Sequence, residues 1–434
     1  MTTIPAIAPT GSLNTKDMRR IIGSSFIGSA IEYYDFLLYA TASSLVLDKV
    51  FFANLGPGFA LFASFATLAV GYVARPLGGL IFGHFGDVLG RKKMLVLSMV
   101  LMGIGTVAIG LLPTTAQIGI AAPIILTLLR VLQGIAVGGE WGGAALMALE
   151  HAPSQKRGFA AGFVNAGGAA GAILGTLILS LFAAISGSGF LVWGWRVPFL
   201  LSAVLIGVGL VIRLKVAETP AFQRLEAAAE KRRLPILDVL AHSKKAVVLG
   251  LVATVAFYSC QAMTTVWGVS AAVGHGVDKN AVLNLKAVAA VVTMLVTLYA
   301  ARLSDRLGRK PVFIGAAAAG VVLAYPILAL MTSGTIWGFG LAMLLGNGLV
   351  QAFLCGPITA YVAEQFPARS RYSGASLAYQ GGSMLGAGFT PVIAEALGIA
   401  GGGIWLIAVF WAAVLAVAAV TTALTPEGKG RVID

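Results

Sequence analysis

The sequence predicts an all-α integral membrane protein in which twelve transmembrane helices form two pseudo-symmetric six-helix halves. Of the 434 residues, 58% are hydrophobic and only 11% are charged, whereas soluble domains carry about 25% charged residues. Charge-free runs of about 20 residues, the length of a membrane-spanning helix, recur along the whole chain. These runs are too long and too apolar for the alternating strands of a barrel, so helices must satisfy the backbone inside the bilayer.

The positions of these apolar runs give twelve spans. They cover residues 20–46, 58–83, 94–112, 118–149, 158–184, 194–213, 246–273, 281–301, 311–332, 336–363, 373–399 and 402–424. A charged stretch separates the first six spans from the last six. The sequence therefore predicts an N-terminal half over 1–213, a cytoplasmic linker over 214–245 and a C-terminal half over 246–434.

The positive charge follows the predicted topology. Twenty-four of the 30 Lys and Arg residues fall in segments that alternate to one side of the spans, and such a bias marks the cytoplasmic side. Both termini are therefore predicted to be cytoplasmic, and the net charge of +13 does not indicate nucleic-acid binding. Residues 1–18 lack an apolar core, so no cleavable signal peptide is predicted.

Two loops repeat at a constant spacing. Gly83–Lys92 follows the second span and Ala301–Lys310 follows the eighth, and their Asp, Gly, Arg and Lys residues match at an offset of 218. A second echo joins Glu150 to Glu364 at an offset of 214. Duplicated halves that rock about a site near the membrane midplane are typical of secondary transporters.

Each repeated loop places a carboxylate at a helix end, beside a glycine turn and paired cations. Such a carboxylate can accept hydrogen bonds from a neighbouring helix N-terminus and from arginine, so the loops could latch the cytoplasmic side. Alternatively, they only anchor helix ends at lipid headgroups; two copies in register favour the latch. The predicted latch residues are Asp87, Arg91, Asp305, Arg306 and Arg309.

Two carboxylates lie within the first span. Glu32 and Asp35 share one helical face with Gly28 and Tyr39. Like charges on a buried face favour protonation of one partner, so this pair is the predicted proton-coupling site, with Asp35 preferred because it lies deeper and Tyr39 could hydrogen-bond it. The alternative is that both acids pair permanently with arginines and only stabilise the fold. Glu140, among closely spaced glycines of the fourth span, is a further candidate.

Arginines inside spans are costly to bury and usually mark a solute or proton path. Arg75 lies just before Pro76 in the second span and is the first candidate for gripping a substrate carboxylate with its planar fork. Arg130 in the fourth span could bind substrate or balance Asp35 or Glu32. For each arginine the alternative is a structural ion pair.

Other polar residues of the spans are weaker candidates. Arg196 opens the sixth span beside two tryptophans and could be an interfacial anchor, and Lys286, early in the eighth span, is expected to snorkel to the outer surface. Neutral hydrogen-bonding side chains could orient substrate hydroxyls or simply join helices. These candidates are Tyr39, Gln133, Tyr258, Gln261, Gln351 and Tyr379.

Nothing in the sequence indicates an enzyme, a metal site or a cofactor. The four histidines are dispersed in or near loops without metal-ligand spacing. Cys260 and Cys355 both lie within spans and define neither a disulfide nor a metal site. No phosphate-binding loop is present, so direct drive by ATP is not expected.

The repeated Gly-x-x-x-Asp-x-x-Gly-Arg-Lys loops resemble the signature of the major facilitator superfamily. Over nearly its whole length the chain also resembles the metabolite:proton symporter family within it, and most of all the shikimate-transporter branch. The matching segments are Glu32–Phe36, Arg75–Gly79, Arg130–Glu140, Trp193–Phe199 and Arg371–Gly374. The resemblance implies that Arg130 and Gln133 take part in proton coupling and that Arg196 lies near the substrate path. Val88 departs from the usual Arg, which weakens the first latch.

Together these features predict a proton-coupled symporter that imports a small organic acid, such as shikimate or a mono- or dicarboxylate, by alternating access. It is expected to act as a monomer in the cytoplasmic membrane of a bacterium, with protons, substrate and lipid as its partners. A symporter for a zwitterion such as proline or betaine is the alternative. A multidrug exporter fits the charged cavity less well, and the duplicated loops argue against an uncoupled pore.

Overall fold

The computed structural model describes residues 15–89, 91–138, 157–215, 239 and 243–428. Twelve long helices make up nearly all of this part. They are α1 (Thr15–Leu45), α2 (Pro57–Leu89), α3 (Arg91–Leu111), α4 (Ala121–Gly138), α5 (Arg157–Ser186), α6 (Arg196–Lys215), α7 (Lys244–Gly274), α8 (Lys279–Leu307), α9 (Arg309–Met331), α10 (Ile336–Ala363), α11 (Ala368–Ser383, continued by Thr390–Ile399) and α12 (Gly403–Ala423). Most of the predicted linker 214–245 lies outside the described residues.

The composition of the helices matches a bilayer. Among the described residues, nine helices are long and apolar enough to cross a membrane, and shorter apolar helices cover Val96–Leu111 and Arg196–Val211. Large apolar side chains cover the outside of the bundle, as shown by Trp337 at 89% and Val322 at 75% exposure. An apolar outer surface of this extent is stable against lipid rather than water.

Helix boundaries differ from the predicted spans in two ways. α2 and α8 extend about two turns beyond the predicted ends at 83 and 301. The fourth predicted span, 118–149, begins instead as a separate turn over Thr115–Ile118, which Thr114 and Gln117 close with a reciprocal capping box. Gly119 follows this turn with φ of +62°, and this left-handed backbone separates the turn from α4.

The helices of each half pack with their own half and meet the other half along defined pairs. Within the N-terminal half (α1–α6), α1 packs on α5, α2 on α4 and α3 on α6; within the C-terminal half (α7–α12), α7 packs on α11 and α9 on α12. α5 against α8, and α2 against α11, join the two halves. The twelve-helix architecture predicted from the sequence is confirmed.

Close approach of α2 and α4 depends on glycine. A Cβ on Gly138 would lie 1.9 Å from the backbone oxygen of Arg75, and one on Gly134 would lie 2.0 Å from that of Gly71. Only glycine permits this contact, as at other crossings of membrane helices with small residues. The crossing brings the helices that carry Arg75 and Arg130 together.

Three helices of the C-terminal half contain π-helical segments near their middle. These are Met263–Trp267 in α7, Leu344–Gln351 in α10 and Met384–Phe389 in α11. A π segment adds a residue to the turn and frequently occurs at functional sites. In the N-terminal half a π-helical segment, Phe190–Gly194, lies between α5 and α6 rather than inside a helix.

Candidate substrate and proton site

A cavity of about 650 Å³, including its open part, lies between the two halves. Five helices form its wall, and each contributes one stripe of side chains. The stripes are Tyr33 and Leu37 from α1; Asn165, Gly168, Ala169, Ala172 and Thr176 from α5; Phe257, Gln261 and Thr265 from α7; Lys286, Ala290, Thr293 and Thr297 from α8; and Asn347, Gln351 and Cys355 from α10. The wall is therefore rich in amides and hydroxyls.

Lys286 is the charged side chain of this wall. It is only 5% exposed, and its Nζ donates a hydrogen bond to Oγ1 of Thr41 on α1 at 2.5 Å. The expectation that Lys286 snorkels to the outer surface is wrong, because its side chain is buried and turns inward to Thr41 of α1. None of the described residues that line the cavity is Asp or Glu.

Two of the predicted neutral candidates, Gln261 and Gln351, line the cavity. In the π segment of α10, the Asn347 amide donates to Oε1 of Gln351, and its oxygen accepts from Oγ1 of Thr293 at 2.7 Å. Tyr258 and Tyr379 lie behind the wall, with ring centroids 5.4 Å apart. The hydroxyls of Tyr258 and the wall residue Tyr33 are 3.4 Å apart.

Arg75 is buried away from the cavity wall. Its guanidinium lies over the rings of Phe36, at 3.9 Å, and Tyr72, at 4.3 Å. The charges and hydroxyls that act on it are those of Glu32, Tyr33, Tyr72 and Tyr258. The tyrosines therefore separate Arg75 from the cavity in this arrangement of the helices.

Arg130 is fully buried and connects to a chain of polar groups inside the N-terminal half. Its Nη1 donates to Oε1 of Gln133 at 2.7 Å, and Gln133 Nε2 donates to Oγ1 of Thr106 at 2.7 Å. Its guanidinium also lies 3.9 Å from the ring centroid of Tyr39. In the described structure its Nε and Nη2 have no hydrogen-bond partner.

Asp35 on α1 lies close to Thr106 of this chain of polar groups. It is 2% exposed, and its Oδ1 accepts from Oγ of Ser202 on α6 at 2.5 Å. Its Oδ2 has no partner among the described residues. Tyr39 does not bond Asp35 as suggested by the sequence, because its hydroxyl is 2.5 Å from Oγ1 of Thr67.

Several predicted site residues lie elsewhere. Arg196 is half-buried, and its Nη1 donates to the backbone oxygens of Gly110 at 2.9 Å and Leu112 at 2.7 Å, at the C-terminal end of α3. It does not line the cavity. Glu140 and the side chains of Asp87 and Arg91 lie outside the described residues, so the first latch loop and the fourth-span acid stay predictions.

The second latch loop forms a compact ionic cluster at one end of the bundle. Asp305 accepts hydrogen bonds from the backbone N–H groups of Gly158 at 3.0 Å and Phe159 at 2.9 Å, at the N-terminus of α5. Arg309 pairs with Asp305 at 2.6 Å and with Glu364 at 3.1 Å. Burial raises the pKa of the Glu364 carboxyl, and the Arg309 charge opposes that rise. These contacts, here called the Asp305 cluster, join the C-terminal half to α5.

The residues after α12 complete this end of the bundle. Glu427 accepts hydrogen bonds from the backbone N–H groups of Arg309 at 2.9 Å and Lys310 at 3.1 Å, and so caps α9. Gly308, which precedes the first residue of α9, turns the chain with φ of +110°, a value that favours glycine. Lys310 in turn donates to the backbone oxygen of Thr425.

Sequence reasoning missed two polar groups at the interface between the halves. Asn165 of α5 donates from its Nδ2 to the backbone oxygen of Cys355 at 3.0 Å and to Oγ1 of Thr359 at 3.1 Å. Thr293 of α8 joins the amide pair of α10. Asn165 lies seven residues before Ala172, and Thr293 lies seven residues after Lys286, so each pair shares one helical face. This spacing was the available signal.

Comparison with known proteins places this architecture in a family. A family model described as "Sugar (and other) transporter" matches residues 24–246 and 240–434. The chain belongs to this transporter family. It is thus a member of the major facilitator superfamily and a membrane transporter rather than an enzyme.

Curated members of the family resemble the chain over most of its length. The shikimate transporter of Escherichia coli K12 is 37% identical over 429 residues, covering 96% of this chain and 97% of its own. The inner membrane metabolite transport protein YhjE of the same organism is 39% identical, covering 86% and 87%. The proline/betaine transporter of Salmonella typhimurium is 34% identical, covering 87% and 77%.

Solved structures of the family share the fold. The xylose transporter XylE of E. coli, in a partially occluded inward-open conformation, superposes with a TM-score of 0.75 at 19% identity. The match covers 96% of this transporter and 100% of that chain. At this identity the likeness supports the architecture of two six-helix halves.

Proposed function

We propose that this transporter is a proton-coupled symporter that imports a small organic acid by alternating access. The proposal rests on the separation of the buried carboxylates from the cavity wall. The buried carboxylates Glu32 and Asp35 belong to the N-terminal half, whereas the described wall of the cavity has a lysine and no carboxylate. Substrate and proton therefore have distinct places, and neither excludes the other.

Asp35 is the proposed proton carrier. Its Oδ2 is buried without a partner in the described structure, and an unpaired buried carboxylate charge is costly. Protonation removes that charge, and movement of α1 against α6 changes the bond from Ser202 that favours the ionised form. Arg130 is joined through Gln133 to Thr106, which lies close to Asp35. Its positive charge is therefore part of the buried charge that changes when Asp35 takes up a proton.

Alternating access requires that each end of the cavity can open. At the end that carries Asp305, the halves are joined by the Asp305 cluster and by Asn165. At the other end, Lys286 bonds Thr41, and Oγ of Ser44 donates to the backbone oxygen of Val266 at 3.0 Å. Hydrogen bonds thus join the halves at both ends, and in the proposed cycle rocking of the halves breaks one set while the other is kept.

The zwitterion alternative draws on the relatives that transport proline and betaine. A betaine site needs a partner for its cation, either a carboxylate or aromatic rings. Tyr33 and Phe257 supply rings in the cavity, but Lys286 places a like charge beside them. This repulsion favours an anionic substrate. In the cell we place the protein in the bacterial cytoplasmic membrane as a monomer, with the Asp305 end and both termini facing the cytoplasm.

Proteoliposomes with an imposed pH gradient test the proposal. We expect the parent to accumulate an organic acid when the outside is more acidic, and Asp35→Asn to exchange substrate at equal concentrations without accumulating it. The amide resembles the protonated acid but cannot release a proton. Glu32→Gln is the matched comparison on the same helix. Accumulation that survives in both variants contradicts the assignment, and gradient-driven uptake of betaine but of no acid supports the alternative.

A further inference from the structure

Lys286 is a buried cation without a counter-charge. The described wall of the cavity around it holds no Asp or Glu, and Thr41 is the hydrogen-bond partner of its ammonium. An ammonium has three N–H donors, so two remain for another group. A buried unpaired charge is strongly unfavourable, and the cavity in front of Lys286 is the space from which an anion can reach it.

We propose that Lys286, rather than Arg75, holds the carboxylate of the transported acid, and that Thr293, Asn347 and Gln351 bind its hydroxyl groups. The inference rests on the proposed function and specifies its substrate class: a monocarboxylate that carries several hydroxyls. One lysine balances one carboxylate. A dicarboxylate leaves its second charge unpaired among the described wall residues, and an apolar acid makes no hydrogen bonds to the amides.

The placement of these groups along α8 supports this assignment. Thr293 follows Lys286 by seven residues, two turns along the same helical face, or about 10 Å along the axis. Thr293, Asn347 and Gln351 form one hydrogen-bonded row. Amide and hydroxyl groups both donate and accept, as sugar-like hydroxyls require. The site therefore has a cationic pole at Lys286 and a neutral hydrogen-bonding pole about 10 Å farther along α8.

Equilibrium binding to the purified full-length protein tests the anchor independently of transport. The probes are shikimate, which is a cyclic trihydroxy monocarboxylate, its uncharged methyl ester, succinate and glycine betaine. Calorimetry gives the Kd. Maleimide labelling of Cys355, which lines the cavity, reports occupancy, in a background where the fully buried Cys260 is replaced by Ser.

We expect shikimate to bind and to protect Cys355, with the ester and betaine at least tenfold weaker. Lys286→Met should weaken shikimate binding by at least tenfold, because a charge-assisted hydrogen bond is lost, while Lys286→Arg restores part of it. Lys279→Met is the matched control, since that lysine lies over Phe190 outside the cavity. Far-ultraviolet circular dichroism and gel filtration confirm that the variants fold.

Equal binding of acid and ester to the parent, or parental binding by Lys286→Met, overturns the anchor. Lack of protection by shikimate overturns the substrate class, as does tighter binding of succinate. The proposed function fails separately: Lys286-dependent binding without gradient-driven accumulation contradicts proton coupling and leaves the anchor intact. Accumulation with binding that is independent of Lys286 contradicts the anchor alone.

Discussion

The two halves of the transporter handle polar groups in opposite ways. In the N-terminal half, Arg130 is buried at one end of a chain of hydrogen bonds through Gln133 and Thr106, and Asp35 is buried with Ser202. In the C-terminal half, amides, hydroxyls and Lys286 face the cavity, and π segments interrupt three helices. In the proposed function the proton site therefore lies in the N-terminal half and the proposed substrate-binding side chains lie in the C-terminal half, so that relative movement of the halves couples them.

Arg75→Lys should have the largest effect and tests the N-terminal side of this comparison. Lysine keeps the charge but cannot lie as a flat group over Phe36 and Tyr72. We expect proton-driven uptake to be abolished in proteoliposomes, while equilibrium substrate binding stays within about threefold. Arg196→Lys, which changes another stacked arginine outside the cavity, is the control. A loss of binding that parallels the loss of transport would place Arg75 in the substrate site.

Asp305→Asn should have the next largest effect and tests the contact between the halves. Asparagine has one neutral acceptor oxygen in place of the two charged oxygens that accept the backbone N–H groups of α5. It also loses the ion pair with Arg309. Because charge-assisted bonds contribute about 1.5–3 kcal/mol, this end should open roughly 10- to 100-fold more often.

The rate of Cys355 labelling in the Cys260→Ser background measures this opening. Asp278→Asn is the matched control, since Asp278 caps α8 at the opposite end by accepting from the backbone N–H of Ala281. Equal labelling rates for Asp305→Asn and the parent would mean that the cluster only anchors helix ends.

Asn347→Ala sharpens the C-terminal side of the comparison. Loss of one neutral hydrogen bond weakens the binding free energy by about 0.5–1.5 kcal/mol. The Kd for a hydroxylated acid should therefore rise about 2- to 13-fold. The accumulation ratio at a fixed pH gradient should not change, because the proton site is on the other half. Asn284→Ala, at an amide bonded to Ser180 rather than lining the cavity, is the control. A changed accumulation ratio would show that the two functions are not separated.

Arg196→Gln should have the smallest effect. Its guanidinium bonds two backbone oxygens at the end of α3, and a cation at a helix C-terminus stabilises the helix by about 0.3–1 kcal/mol. We expect the melting temperature of the purified protein to fall by a few degrees, with the substrate Kd unchanged. A rise in the Kd without a loss of stability would instead support the role that family resemblance suggests for this residue.

Much of the fold followed from the sequence because the bilayer imposes length and polarity on each helix. The site followed less completely. Spans such as α7 are apolar on every side, so no amphipathic pattern reveals which face meets the cavity. Arg75 and Asp35 were therefore recognised as buried charges, but their placement behind the wall could not be read from spacing. The inward position of Lys286 could not be predicted, because its hydrogen-bond partner Thr41 is remote in sequence.

The cap that Glu427 places on α9 has a consequence for the order of assembly. Glu427 leaves the ribosome more than a hundred residues after Arg309 and Lys310. Its carboxylate accepts hydrogen bonds from the backbone N–H groups of these two residues. While the last helix is still being synthesised, the start of α9 has no such partner and the neighbouring Asp305 cluster lacks its final support. We therefore expect closure of this end to come late in biogenesis, and a chain truncated before Glu427 to lack this cap.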